Sequence, residues 1–182
     1  MIYACIRFIQ EWAHPLTTVN YVLLGLASGL VTCGALAVLT GEGEFAAAIA
    51  GWAAATTALA WFTRALALRR NARLKPRSAL QSATGIRSTR VVQVSMGFTG
   101  GSFNTREFFH GATDAVLRNM KVGFQVLAFA LPIVLLLWAM GTGSPAAWLL
   151  AFAVQSLGIL AERWFFFAQA SHPQNLYYEA IA

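Results

Sequence analysis

Charge is scarce in this chain: 11% of its 182 residues are Asp, Glu, Lys or Arg, against about 25% in ordinary soluble domains. With 58% hydrophobic residues and a mean hydropathy of +0.59, it has too little polar surface to cover a globule in water. The solvent for most of the chain is therefore lipid. Cysteine is scarcer still. Cys5 and Cys33 lie at different depths and form no Cys-x-x-Cys pair, so neither a disulfide nor an iron–sulfur cluster is suggested. The three histidines, His14, His110 and His172, all fall outside the apolar stretches, which argues against a haem gripped by two imidazoles. No His-x-x-x-His or carboxylate cluster has the spacing of a metal site, and no Ser, His and Asp set shares one depth. An autonomous membrane hydrolase is thereby argued against. Arg7 and Glu11 interrupt any signal-peptide core, and Met1 to Trp12 reads instead as the last turns of a helix.

What the chain does have is long apolar runs. A helix needs about twenty mostly apolar residues to cross the hydrocarbon layer. Four stretches qualify: Thr18 to Leu39, Phe45 to Leu68, Val122 to Met140 and Ala146 to Phe167. The connections Thr40 to Glu44 and Gly141 to Pro145 are short and rich in turn residues, so the expected fold is all-α, a membrane bundle of four transmembrane helices in two antiparallel hairpins. Trp12, Trp61, Phe62, Trp138, Trp148 and the run Trp164 to Phe167 sit near span ends, where amphipathic rings favour the headgroup zone. Gly25 with Gly29, and Ala47 with Gly51 and Ala55, form small-residue faces suited to close helix packing. Pro132 is expected to bend the third span.

Positive charge is unevenly placed. Ten of the thirteen Lys and Arg residues lie between Arg69 and Lys121, in a polar loop (69–121), while the short connections carry Glu42 and Glu44 and no cation. The positive-inside rule puts this loop and both termini in the cytoplasm. The loop's varied sequence, with Phe, Gly and Asn interleaved, reads as a docking surface for an extrinsic subunit. A basic segment resting on anionic lipid is the plainer reading, and nucleic acid is disfavoured by the tether to a bilayer. Within the spans, the groups that ask for an explanation are Arg64, Glu162 and Arg163, because ionisable side chains in lipid are expensive. Either Arg64 and Glu162 pair between helices two and four, or the arginines snorkel to the interface and Glu162 is solvated there. Gln125 and Gln155 are expected to hydrogen-bond between helices. At the rim, His14, Arg106 and His110 are further candidates. Asn104 and Glu107 have capping-box spacing, which predicts a short helix from Asn104 through Val116 with Arg106 and His110 on one face.

Several segments together carry a family resemblance. They are Gly101-Ser102-Phe103-Asn104-Thr105-Arg106-Glu107-Phe108-Phe109-His110-Gly111, the run Ala161-Glu162-Arg163-Trp164-Phe165-Phe166-Phe167-Ala168-Gln169-Ala170, Asn175-Leu176-Tyr177-Tyr178, and the opening Met1-Ile2-Tyr3-Ala4 with Trp12-Ala13-His14-Pro15. This pattern resembles the membrane-anchor subunits of dimethyl sulfoxide reductase, the DmsC family, along essentially the whole chain. The resemblance implies that these residues correspond to the carboxyl-terminal half of an eight-helix protein of the bacterial inner membrane. It also implies a non-catalytic anchor for anaerobic respiration, with no cofactor bound within the chain. Such an anchor holds an iron–sulfur electron-transfer subunit and a molybdopterin catalytic subunit, and takes electrons from membrane quinol. Arg106, His110, Glu162, Arg64 and His14 are then the candidates for quinol or partner contact. Without the resemblance, a small transporter or channel component is the alternative, although Gln155 and Ser156 are nearly all the polarity at mid-span.

Overall fold

The computed structural model describes residues 2–75, 77, 79–88 and 113–173. It is all-helical among those residues. After a single turn, α1 (Ile2–Cys5), come α2 (Pro15–Leu39), α3 (Gly43–Asn71) and a short α4 (Leu80–Thr84). Next, α5 (Asp114–Gln125), a π-helical turn (Val126–Ala130) and α6 (Leu131–Thr142) form one continuous rod, and α7 (Pro145–Ala168) closes the fold. Four rods, 15–39, 43–71, 114–142 and 145–168, are long and apolar enough to cross a membrane. They run up and down as two hairpins: α2 packs on α3 and α7, and α6 packs on α3 and α7, so each rod has two neighbours in a four-membered ring. Lipid-facing positions are filled by large apolar residues such as Val22, Leu26, Phe62, Leu137 and Leu160, all exposed.

Local chemistry sets the ends of these rods. Pro15 occupies the first turn of α2, where its missing N–H costs nothing, and the preceding His14 is extended, as a residue before proline prefers to be. Gly143 ends α6 at φ +65°, a left-handed conformation that glycine adopts without strain. Two expectations about boundaries change. The third rod begins at Asp114, eight residues before Val122, because α5 is amphipathic and runs along the polar end of the bundle before turning apolar. Thr113, extended at φ −97° and ψ 162°, breaks the helix expected over 104–116 before Asp114; residues 104–112 lie outside the described residues. The amino-terminal segment is also less helical than expected. After Cys5 it runs in turns and tucks Ile9 and Trp12 under the bundle, with the Trp12 indole Nε1 donating to the Phe166 carbonyl at 3.1 Å.

The small-residue faces lie elsewhere than expected. Gly25, Gly29, Ala47, Gly51 and Ala55 are exposed, and a Cβ added to Gly25 or Gly29 would meet nothing within 4 Å. The packed face of α3 is Ala46, Ala50, Ala53, Thr57 and Ala60. Because α3 carries alanine on every side, four-residue spacing picks out several stripes and does not choose the inward one. Close approach occurs instead at Gly34, against the Trp148 ring, and at Gly158, against the backbone of Leu127 and Ala128.

That second contact coincides with the π-helical turn. Pro132 has no N–H to offer the Ala128 carbonyl four residues earlier, and the ladder shifts: Leu131 N–H reaches back to Val126 O instead. The Ala128 carbonyl accepts from Gln155 Nε2 at 3.4 Å, and the same nitrogen lies 3.4 Å from Thr57 Oγ1. Gln155 (3% exposed) thus ties α7 to α3 and to the distorted turn, as its polarity predicts. Gln125 makes a lesser link, accepting from Trp61 Nε1 at 3.5 Å and donating to its own helix at Lys121 O.

Candidate functional site

Arg64 lies seven residues before the end of α3 and Glu162 six before the end of α7, about 10 Å inside each helix terminus at 1.5 Å per residue. Of the two readings open from the sequence, the structure takes the pairing. Arg64 Nε approaches Glu162 Oε1 to 2.7 Å, with side chains 3% and 0% exposed. The N–H axis is turned off the oxygen, so the pair is held by charge rather than by an aligned hydrogen bond, and Arg64 Nη2 also has no hydrogen-bond partner. Arg163 grips the other carboxylate oxygen, Oε2, from the next position along α7. It does not snorkel freely: its guanidinium lies 4.2 Å above the Tyr21 ring and 5.1 Å from the Phe166 centroid, while Arg64 faces Phe124 at 5.6 Å.

Two cations share one carboxylate, leaving one positive charge. Glu11, from the amino-terminal segment, lines the same small cavity as Arg64, Arg163, Asn20 and Tyr21. It supplies a second negative charge at the polar end of the cluster. The cavity measures about 10 Å³, too small for an organic ligand. Chemically, the cluster joins α3, α7 and the α2 start by charge in a low-dielectric setting.

His14 has a different task from the one read from the sequence. Its Nδ1 accepts from the Leu16 N–H at 3.1 Å and caps α2. Burial, and then the nearby Arg70 charge, hold its pKa below the ordinary imidazole value, which keeps Nδ1 unprotonated and able to accept. Arg106 and His110 lie outside the described residues, as does Glu107. The structure therefore brings Arg64 and Glu162 together and sets His14 apart from them. Sequence reasoning missed Glu11, Asn20 and Tyr21. A buried asparagine near the start of the first span, 4% exposed with Oδ1 unpartnered, is the signal that was there to read.

At the opposite end of the bundle, a concavity of about 210 Å³ between the short connections is lined by Val38, Ala46, Ala139, Pro145 and Trp148 and offers no acid or base. Among the described residues, the basic side chains cluster at the other end. There the amino-terminal segment, the ends of α3 and α7 and the start of α5 meet, with Arg69, Arg70, Arg73, Lys75, Arg118 and Lys121 among them.

Fold and charge cluster define a multi-pass helical membrane protein with one basic, charge-locked end. By sequence the chain is similar to the C subunit of the sulfite dehydrogenase of Allochromatium vinosum, with 46% identity over 182 residues. The match takes in all of this chain and 56% of that protein, so the chain spans little more than half the length of its relative. No protein-family model matches the chain, and no solved structure matches it.

Proposed function

We propose that the chain belongs to the membrane subunit of an oxidoreductase complex that oxidises sulfite. The observation that carries this reading is the 46% identity to a sulfite dehydrogenase component over all of the chain. The bundle supplies what an anchor requires, namely four apolar rods and one strongly basic end to which extrinsic subunits can dock. We assign that end to the cytoplasm on the distribution of Lys and Arg, and the membrane to the bacterial plasma membrane. The docked partners in this reading are an iron–sulfur electron-transfer subunit and a molybdopterin catalytic subunit. In this reading the complex sends electrons from sulfite into the membrane. The direction is then from partner to quinone, the reverse of the quinol oxidation that the dimethyl sulfoxide reductase resemblance implies.

Of the residues named for quinol or partner contact, Arg64, Glu162 and His14 fit a quinone poorly. Arg64 lines a cavity of only about 10 Å³ and is committed to Glu162, while His14 is committed to a helix cap. No step is assigned to them. The experiment is to delete the subunit in its host. Sulfite oxidation with an artificial acceptor should then move to the soluble fraction, and sulfite-dependent quinone reduction should disappear from membranes. Sulfite oxidation that stays membrane-bound and quinone-linked would overturn the assignment.

A further inference from the structure

We propose that the small cavity beside the Arg64–Glu162–Arg163 cluster is the binding site of one structural water, which couples Glu11 to Arg64. A cavity of about 10 Å³ on this measure holds a single water molecule. Its walls come from three parts of the fold: Asn20 from α2, Arg64 from α3 and Glu11 from the amino-terminal segment. Asn20 is 4% and Arg64 3% exposed, so bulk solvent does not serve their polar atoms.

Each of these three side chains has one end sealed in protein. The sealed atoms are Asn20 Oδ1, Arg64 Nε and Nη2, and Glu11 Oε2, none of which an occupant of the cavity can touch. Asn20 Nδ2, Arg64 Nη1 and Glu11 Oε1 are not sealed, and they make no hydrogen bond among the described residues. The cavity therefore offers two donors and one charged acceptor. Thr17 lines it as well. Its hydroxyl already donates to the Trp12 carbonyl at 2.8 Å, so it has only lone pairs left to present.

Water answers this lining group for group. Its two lone pairs accept from Asn20 and Arg64, one O–H donates to Glu11 and the other to Thr17, which is the full set of partners a buried water can use. Other small species meet only part of it. A monovalent cation would face the Arg64 and Arg163 guanidiniums, and a halide would face the Glu11 carboxylate in a space the size of one water. Bound there, the water relays the negative charge of Glu11 to Arg64, so that two carboxylates balance two guanidiniums. It also pins the amino-terminal segment to the spans. This inference does not depend on the sulfite-oxidising assignment.

Phe166, 4% exposed, lines the same cavity and can report on it. An X-ray pulse applied to the protein in nanodiscs splits water where it lies. A hydroxyl radical from a bound molecule attacks the nearest ring even when a scavenger removes the radicals formed in bulk. With scavenger present, Phe166 should therefore be hydroxylated, while Phe129, 1% exposed in the apolar core, should not. Asn20→Leu, which replaces the amide by an apolar group of similar size, should abolish the Phe166 product. A cryo-electron-microscopy map of the same nanodiscs gives an independent readout, a single peak within hydrogen-bond distance of Arg64 Nη1 and Glu11 Oε1. Scavenger-resistant labelling of Phe166 no greater than that of Phe129 would overturn the proposal, as would labelling that persists in Asn20→Leu. So would a map with no peak between Arg64 and Glu11.

Discussion

Glu162 is held by two arginines in a space that excludes solvent, and removing a partner from such a group leaves an uncompensated charge. Glu162→Gln or Arg64→Gln alone should each cost about 3–5 kcal/mol. The double change should cost less than the sum, because each single loss includes a stranded charge that the double change lacks. Thermal melts of the four proteins in detergent measure the cycle, and additive losses would dissolve the pair. His14 gives a pH signature instead. Its folded pKa is lowered from about 6.5, so the unfolded chain binds the proton more readily. The cap's contribution is complete above about pH 6.5 and is lost as pH falls through the lowered folded value. His14→Asn, which keeps a cap acceptor, should flatten that acid dependence, whereas His14→Ala should lose about 0.5–2 kcal/mol at neutral pH. At this scale the sequence exposed Arg64 and Glu162 because charge in an apolar run is conspicuous. It hid the cap role of His14, since an imidazole near a membrane edge has many possible uses and only the approach to the Leu16 N–H selects one.

Helix packing turns on Gly34 and Gly158, not on Gly25 and Gly29. A side chain at Gly158 would overlap the Leu127 and Ala128 backbone, which the π-helical turn and Pro132 fix in place. Gly158→Ala should cost about 1–3 kcal/mol or more through overpacking, while Gly25→Ala, in open space, should stay within about 0.5 kcal/mol. Chemical denaturation of both variants in the same detergent would separate them, and equal losses would argue against the close approach. The existence of the four rods was legible because each is a long apolar run that tolerates no other structure in lipid. Their rotation was not. An alanine-rich helix looks nearly the same from every side, so the inward stripe of α3 is decided by what its neighbours present. The disturbance at Pro132 was legible as a missing donor, but its form, a shift to π-helical bonding with the freed carbonyl used by Gln155, depends on a helix distant in sequence.

For the whole molecule, the two hairpins place both short connections at one end and the ends of α3 and α7, with the described cations around them, at the other. A reporter fused after Ala182 should be active only in the cytoplasm and one inserted at Gly43 only outside; the reverse would place the docking end on the external face. The two free cysteines give a second reading of depth, since Cys5 is exposed at the basic end and Cys33 is exposed on a span. A membrane-impermeant maleimide should label Cys5 in cytoplasm-exposed membranes and leave Cys33 to lipid-soluble reagents. The charge cluster also has a consequence in time. Arg64 belongs to the first hairpin and Glu162 to the second, 98 residues later, an interval of about 5–20 s at ordinary rates of synthesis. For that period the first hairpin holds a guanidinium with no counter-ion in the bilayer. It must either stay shallow, with Arg64 reaching the headgroups, or be sheltered by the insertion machinery until α7 arrives. The first hairpin made alone should therefore be degraded quickly, and supplying the second as a separate chain should rescue it only when position 162 keeps its carboxylate.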